Sequence, residues 1–221
     1  MYPPVTNETL GIFAIVLIAL FAMLEVGAIR AAYERLGMSH RTASMLLLAM
    51  IFGSYINIPV ATVRAHEIVH DQIVSFWGVP YVVPAVVHAD QTEIAINVGG
   101  ALIPVLVCVY LLIRWRTLIR SAIATAVVML IVYSTSRVVP GVGIAVPTLI
   151  PGVVAAAIAW LLDRRRAPVI AYVAGTLGCL LGADVLNLPI IYKLHAPVAS
   201  IGGAGTFDGV FVSGLIAVLL A

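Results

Sequence analysis

Charge is what this sequence has least of. Only 10% of its 221 residues are Asp, Glu, Lys or Arg, against roughly a quarter in a soluble domain. So sparse a set excludes an ordinary water-facing surface, and a net charge of +2 is too small for a nucleic-acid interface. Cysteine is nearly absent. Cys108 and Cys179 both fall in long apolar runs, where a thiol packs as a small hydrophobe, so no disulfide framework is expected. Low-complexity tracts and a sequence repeat are also missing. The opening MYPPVTNETLG holds no basic residue ahead of the first apolar run, so a cleavable signal peptide is not expected.

What fills the chain instead is hydrocarbon. Hydrophobic residues make up 62% and the mean hydropathy is +1.13. Runs long enough to cross a bilayer, about 20 residues each, recur throughout. The pattern predicts an all-α polytopic membrane protein, a single integral membrane domain over 1–221. Seven transmembrane helices are expected near 10–31, 42–60, 95–113, 118–138, 143–162, 167–189 and 200–220. Nine of the twelve basic residues fall in alternate connections: Arg30, Arg35 and Arg41, then Arg114, Arg116 and Arg120, then Arg164 to Arg166. Positive charge marks the cytoplasmic side, which puts the N-terminus outside and the C-terminus in the cytoplasm. Glu25, near the inner end of the first span, reads as an interfacial acid that can pair with Arg30.

The connection 61–94 differs from the rest. It is rich in β-branched residues, is punctuated by Gly78, Pro80 and Pro84, and breaks at HADQ. This predicts a small β-ribbon on the extracytoplasmic surface between helices 2 and 3, pairing with the strand-like TEIAINV. Inside it lies HEIVH, His66 to His70, which matches a zinc-protease pattern. That pattern works on a helix, where residues i and i+4 share a face. In a strand the two histidines stand about 13 Å apart. A zinc-dependent membrane enzyme using His66, Glu67, His70 and His88 is therefore a minor alternative.

Polar residues within the spans cluster at one depth. Asn57 falls late in span 2, Asn97 opens span 3, Asp184 and Asn187 lie late in span 6, and Asp208 lies early in span 7. All belong to the outer half, which suggests a polar cavity open outward and lidded by the ribbon. Asp208 stands about 12 Å inside its span. A carboxyl in hydrocarbon costs several kcal/mol unless paired, watered or neutral, so a functional role is the default expectation. Small residues sit beside both acids. Gly175, Gly178 and Gly182 form one stripe, and Gly205 and Gly209 flank Asp208, as close helix approach requires. The glycines just before Asp208 predict a partly unwound start to the last span. If the two carboxyls meet, they cannot both ionise and they titrate as a unit. Such a pair suits a general acid–base dyad, and equally proton or cation coupling in a carrier.

The stretches INVGGALIPVL, GADVLNL and SIGGAGTFDGVFVSGL resemble an uncharacterised prokaryotic family of small multi-span proteins, a domain of unknown function. That resemblance implies a prokaryotic cytoplasmic membrane location and does not indicate what the activity is. The layout is also similar to presenilin and signal-peptide-peptidase aspartyl proteases, which carry one catalytic aspartate on each of two consecutive spans. By that resemblance Asp184 and Asp208 would be the catalytic pair. The sequence departs from it in lacking G-x-G-D at Asp208 and a P-A-L element after it. The function expected is an intramembrane aspartyl peptidase, with a proton- or ion-coupled transporter using the same carboxylates as the alternative. Asn187, Asn57, Asn97 and Thr206 are the candidate orienting residues, and Gly205 and Gly209 the glycines that admit substrate. The partners expected are membrane lipid and a transmembrane peptide substrate, with no nucleic acid and no cofactor.

Overall fold

A computed structural model describes residues 28–64, 72–76, 79–83, 91–139, 143–147, 149–194, 196–203 and 209–221. Seven α-helices occur among them: α1 (Ala28–Arg35), α2 (His40–Gly53), α3 (Ile103–Trp115), α4 (Leu118–Thr135), α5 (Leu149–Leu162), α6 (Ala167–Cys179) and α7 (Gly209–Leu220). α1 overlaps the end of the first expected span at residues 28–31, and each later helix overlaps one of the other six, with α2 starting two residues early and α3 ending two residues late. Three stretches are long and apolar enough to cross a membrane: Val98–Trp115, Leu118–Thr135 and Ala167–Val185. The apolar α5 is shorter. This is a mostly helical membrane protein with a small sheet.

Two of those three stretches reach spanning length only through a change of helix type. α3 and α6 have 13 residues each, about 20 Å at 1.5 Å per residue. A wide π-helical turn, Val98–Leu102, precedes α3, and another, Leu180–Val185, follows α6. Their i→i+5 bonding is visible in Ile103 N–H donating to the Val98 carbonyl and Leu186 N–H donating to that of Leu181 at 2.9 Å. Such turns are rare and recur at functional sites.

α6 is the central helix, with eleven of its thirteen residues buried. It packs against α3, α4, α5 and α7. The expected glycine stripe is split between two of these neighbours. A Cβ on Gly175 would meet the Ser213 carbonyl of α7 at 3.1 Å, whereas one on Gly178 would lie 2.6 Å from Val128 Cγ1 of α4. Gly182 likewise faces Met129 and Val132 of α4. The stripe thus serves two interfaces, because the neighbours wrap around α6.

The helix ends differ from the expected spans in a consistent way: at one end of the bundle, residues read as helix are strands. α2 stops at Gly53, and β1 (Asn57–Arg64) takes in the last four residues assigned to span 2. Pro59 lacks the N–H a helix needs, and the β-branched residues that follow favour the sheet. β4 (Gln91–Asn97) occupies the start of span 3, and β7 (Val198–Ile201) that of span 7. The short hairpin of β5 (Arg137–Val139) and β6 (Gly143–Ala145) replaces the adjoining ends of spans 4 and 5. The expected ribbon is present, four residues longer at its start. β1 pairs antiparallel with β4 from Asn57↔Asn97 to Arg64↔Gln91, with an irregularity between Pro59 and Ala61. β2 (Gln72–Phe76) and β3 (Val79–Val83) form a separate hairpin. β7 adds parallel to β4, giving the order β1–β4–β7. Ile94 and Ala199 of this sheet pack with Ile191 of a 3₁₀ helix, Leu188–Leu194.

Gly178→Ala is expected to push α4 and α6 apart at a cost of about 1–3 kcal/mol. Ala157→Leu, on the exposed face of α5, should leave stability unchanged. Thermal midpoints of the detergent-solubilised protein check the contrast.

Candidate functional site

The site is assembled where the sheet meets the two π turns. Asn97 ends β4 and caps the first π turn, its Oδ1 accepting the Gly100 N–H at 2.8 Å. Its Nδ2 donates to the Ser54 carbonyl at 2.7 Å and to Asn57 Oδ1 at 3.0 Å. Asn57 Oδ1 also accepts the Ser200 hydroxyl at 2.7 Å. One fully buried carboxamide therefore fastens the end of α2 and β1 to the first π turn, and through Asn57 it reaches β7. Asn57 was expected in a helix. It is instead the first residue of β1, and this lets it lie directly opposite Asn97.

β7 then delivers a backbone amide to Asp184. Immediately after Ile201 the chain turns through Gly202 and Gly203, both left-handed at φ +85° and +80°, a conformation that favours glycine. The Gly202 N–H donates to Asp184 Oδ2 at 2.7 Å. The fit leaves no room for a side chain. A Cβ on Gly202 would stand 2.6 Å from the Ala101 Cβ, and one on Gly100 would overlap the Gly202 carbonyl. Both π turns thus abut the Gly202 turn, the first through Gly100 and Ala101 and the second through Asp184. The unwound start expected for the last span is seen at Gly202 and Gly203.

Asn187, a candidate orienting residue, has partners of its own in the second π turn. Its buried Nδ2 donates to the Ala183 carbonyl at 2.8 Å, the Gly182 carbonyl at 3.2 Å and Ser136 Oγ at 3.1 Å. It closes the second π turn, which contains Asp184, and ties that turn to the end of α4.

The approach to the other aspartate is described up to α7. Ser213 Oγ donates to the Gly175 carbonyl at 3.2 Å, and Val210 packs with Cys179 and Leu180. The antiparallel register of α6 and α7 thus sets the first turn of α7, which opens at Gly209, beside the start of the second π turn. Asp208, Thr206, Gly205 and the whole of HEIVH, with Glu67, lie outside the described residues, as do His88 and Glu25. Among the described residues no cluster of three His, Cys, Asp or Glu side chains could hold a metal.

Sequence reasoning missed the Gly202 amide, Ser200 and Ser54. The Gly202–Gly203 pair was the available signal, because adjacent glycines before a buried acid fit a turned backbone amide as well as close helix packing. A second buried polar group lies away from this site. The Tyr33 hydroxyl is enclosed with no hydrogen-bond partner among the described residues.

A family model described as a protein of unknown function, DUF1614, matches residues 51–220. The chain belongs to this family. The DUF1614 region takes in the sheet, both π turns, both aspartates and α3 to α7, so the whole clamp is family territory. No curated protein and no solved structure matches the chain.

Asn97→Ala would leave the Gly100 amide and the Ser54 carbonyl buried and unpaired, for an expected loss of about 3 kcal/mol. Asn57→Ala, at an exposed position, should cost less. Denaturation of the two variants in the same detergent compares them, and an Asn97→Ala protein as stable as wild type would show that the clamp contributes nothing.

Proposed function

We propose that this DUF1614 protein is an intramembrane peptidase in which Asp184 and Asp208 share acid–base work. The reading includes seven spans, an outside N-terminus and a site opening toward the outer face of a prokaryotic cytoplasmic membrane. The observation that carries it is the hydrogen bond from Gly202 N–H to Asp184 Oδ2. It fixes a carboxyl at the mouth of a spanning helix and ties it to the segment that runs, six residues later, into Asp208. The α6–α7 register adds support, since the two helices that carry or adjoin the acids run side by side.

The chemistry follows from two carboxyls sharing one proton. The ionised one takes a proton from water as the hydroxyl oxygen attacks the peptide carbonyl carbon. The protonated one gives its proton to the developing oxyanion. Collapse of the tetrahedral intermediate breaks the C–N bond, and a proton passes to the leaving nitrogen. Asp184 can accept the Gly202 amide in either protonation state, so the bond orients the carboxyl through both steps. The edges β1 and β7 offer backbone groups on which an unwound substrate could add as a strand.

One observation favours a second reading. Spanning helices begin or end in π turns in both halves of the sequence, at Val98–Leu102 and Leu180–Val185, and irregular helix ends beside a carboxylate suit a proton- or ion-coupled carrier.

Asp184→Asn keeps an acceptor for the Gly202 amide, so it should fold normally. Asp184→Asn and Asp208→Asn should each lower cleavage of a transmembrane reporter peptide in proteoliposomes by at least about 100-fold. Full cleavage in either variant sinks the dyad. If wild type cleaves nothing but discharges a pH gradient, and both variants fail to do so, the carrier reading replaces it. Deleting residues 66–88 should change cleavage rate if the ribbon handles substrate, and an unchanged rate removes that role.

A further inference from the structure

The end of the bundle opposite Asp184 carries a different chemistry. There the turn between α3 and α4 lies against the turn between α5 and α6. Arg166 donates to the Trp115 carbonyl at 3.0 Å, and Arg120 pairs with Asp163. These contacts join two turns whose own residues include six arginines, Arg114, Arg116, Arg120 and Arg164 to Arg166, and one carboxylate, Asp163.

That carboxylate is already engaged. Asp163 Oδ2 accepts from Arg120, and Oδ1 accepts the backbone N–H groups of Arg165 and Arg166 at 3.0 and 3.3 Å. It closes the turn and balances one cation. The two turns keep five formal positive charges in excess, six arginines less one aspartate, and all six arginines are exposed.

Directly beside the cations is an apolar shelf. Ile113, Leu118, Ile119 and Leu161 are 63–76% exposed. Trp160 is half exposed, and the Arg164 guanidinium lies 4.0 Å over its ring. An aromatic ring carrying a cation at the boundary between charge and hydrocarbon suits an interfacial position. The ligand that satisfies both halves has an anionic head and an apolar tail. A free phosphate would use the arginines and leave the shelf bare, and a zwitterionic lipid would cover the shelf and leave the net charge uncompensated.

We infer that the paired turns 114–120 and 163–166 form a binding surface for an anionic phospholipid, its headgroup on the arginines and its acyl chains against Ile113, Ile119 and Leu161. Phosphate oxygens pair well with guanidiniums, which present donors in a planar fork. The surface is independent of Asp184, so it stands whether the protein is a peptidase or a carrier.

The test uses the full chain with Trp77→Phe, so that fluorescence comes from Trp115 and Trp160. The protein is reconstituted in phosphatidylcholine vesicles containing a minor fraction of either brominated phosphatidylglycerol or brominated phosphatidylcholine. Preferential quenching by the anionic lipid, corresponding to roughly ten-fold enrichment, is expected. Replacing Arg116, Arg164 and Arg165 with Gln should bring the ratio toward one, while replacing the same three with Lys should largely keep it. Equal quenching by both lipids in the wild-type arginine background overturns the proposal without reference to any variant. A preference untouched by the Gln substitutions overturns it too, as does one abolished by millimolar inorganic phosphate, which would mark a free-anion site.

Discussion

A buried carboxamide, that of Asn97, is the interaction on which the site end of this protein depends. Within or beside a bilayer, water is scarce, and an unpaired backbone group costs several kcal/mol. Three chain segments stop being regular at nearly the same place: α2 ends, β1 begins, and β4 passes into a π turn. Each leaves N–H and C=O groups that its own secondary structure does not serve. Asn97 has two donors and an acceptor on one short side chain. It satisfies Ser54, Gly100 and Asn57 together. A charged residue would add desolvation cost there, and serine would supply too few hydrogen-bonding groups.

Everything that reaches Asp184 is built outward from that clamp. Asn57 carries it to Ser200, and the parallel pairing of β7 with β4 fixes the path into Gly202. Gly100, held from one side by Asn97, presses against the Gly202 carbonyl from the other. The Gly202 amide is therefore aimed by packing on both faces before it meets Asp184. Preorganised donors of this kind cost little reorganisation when charge moves nearby. A polar site at a membrane boundary needs that economy, because solvent there cannot rearrange as freely as bulk water.

That the chain is a mostly helical membrane protein was legible because long hydrocarbon runs are a strict signal, and the small sheet was legible because β-branched residues and prolines mark strands. Where the helices end was much less so. The stretches 54–60, 136–139 and 200–203 each keep Ile or Val directly beside an apolar run, and hydropathy does not distinguish a short apolar strand from the end of an apolar helix. The π turns leave no periodic signature over five or six residues. At the site, the sequence pointed to Asp184, Asn57, Asn97 and Asn187 because amides and acids stand out in so apolar a chain. It did not reveal that Asn187 closes a helix end or that Asn97 is the keystone, since identical side chains at similar depth look alike until their partners are known. The Gly202 donor was invisible for a plainer reason: it is a backbone group.

The two ends of the molecule divide the few charges between them in a way that bears on mechanism. One end concentrates guanidiniums in solvent-facing turns, while Asp184 stands at the other, beside a sheet whose buried polar groups are amides and hydroxyls. The Gly202 amide is a neutral donor, so it orients this carboxyl whether or not the carboxyl holds a proton. A group that keeps its direction through both states is what the peptidase and the carrier readings alike ask of this position.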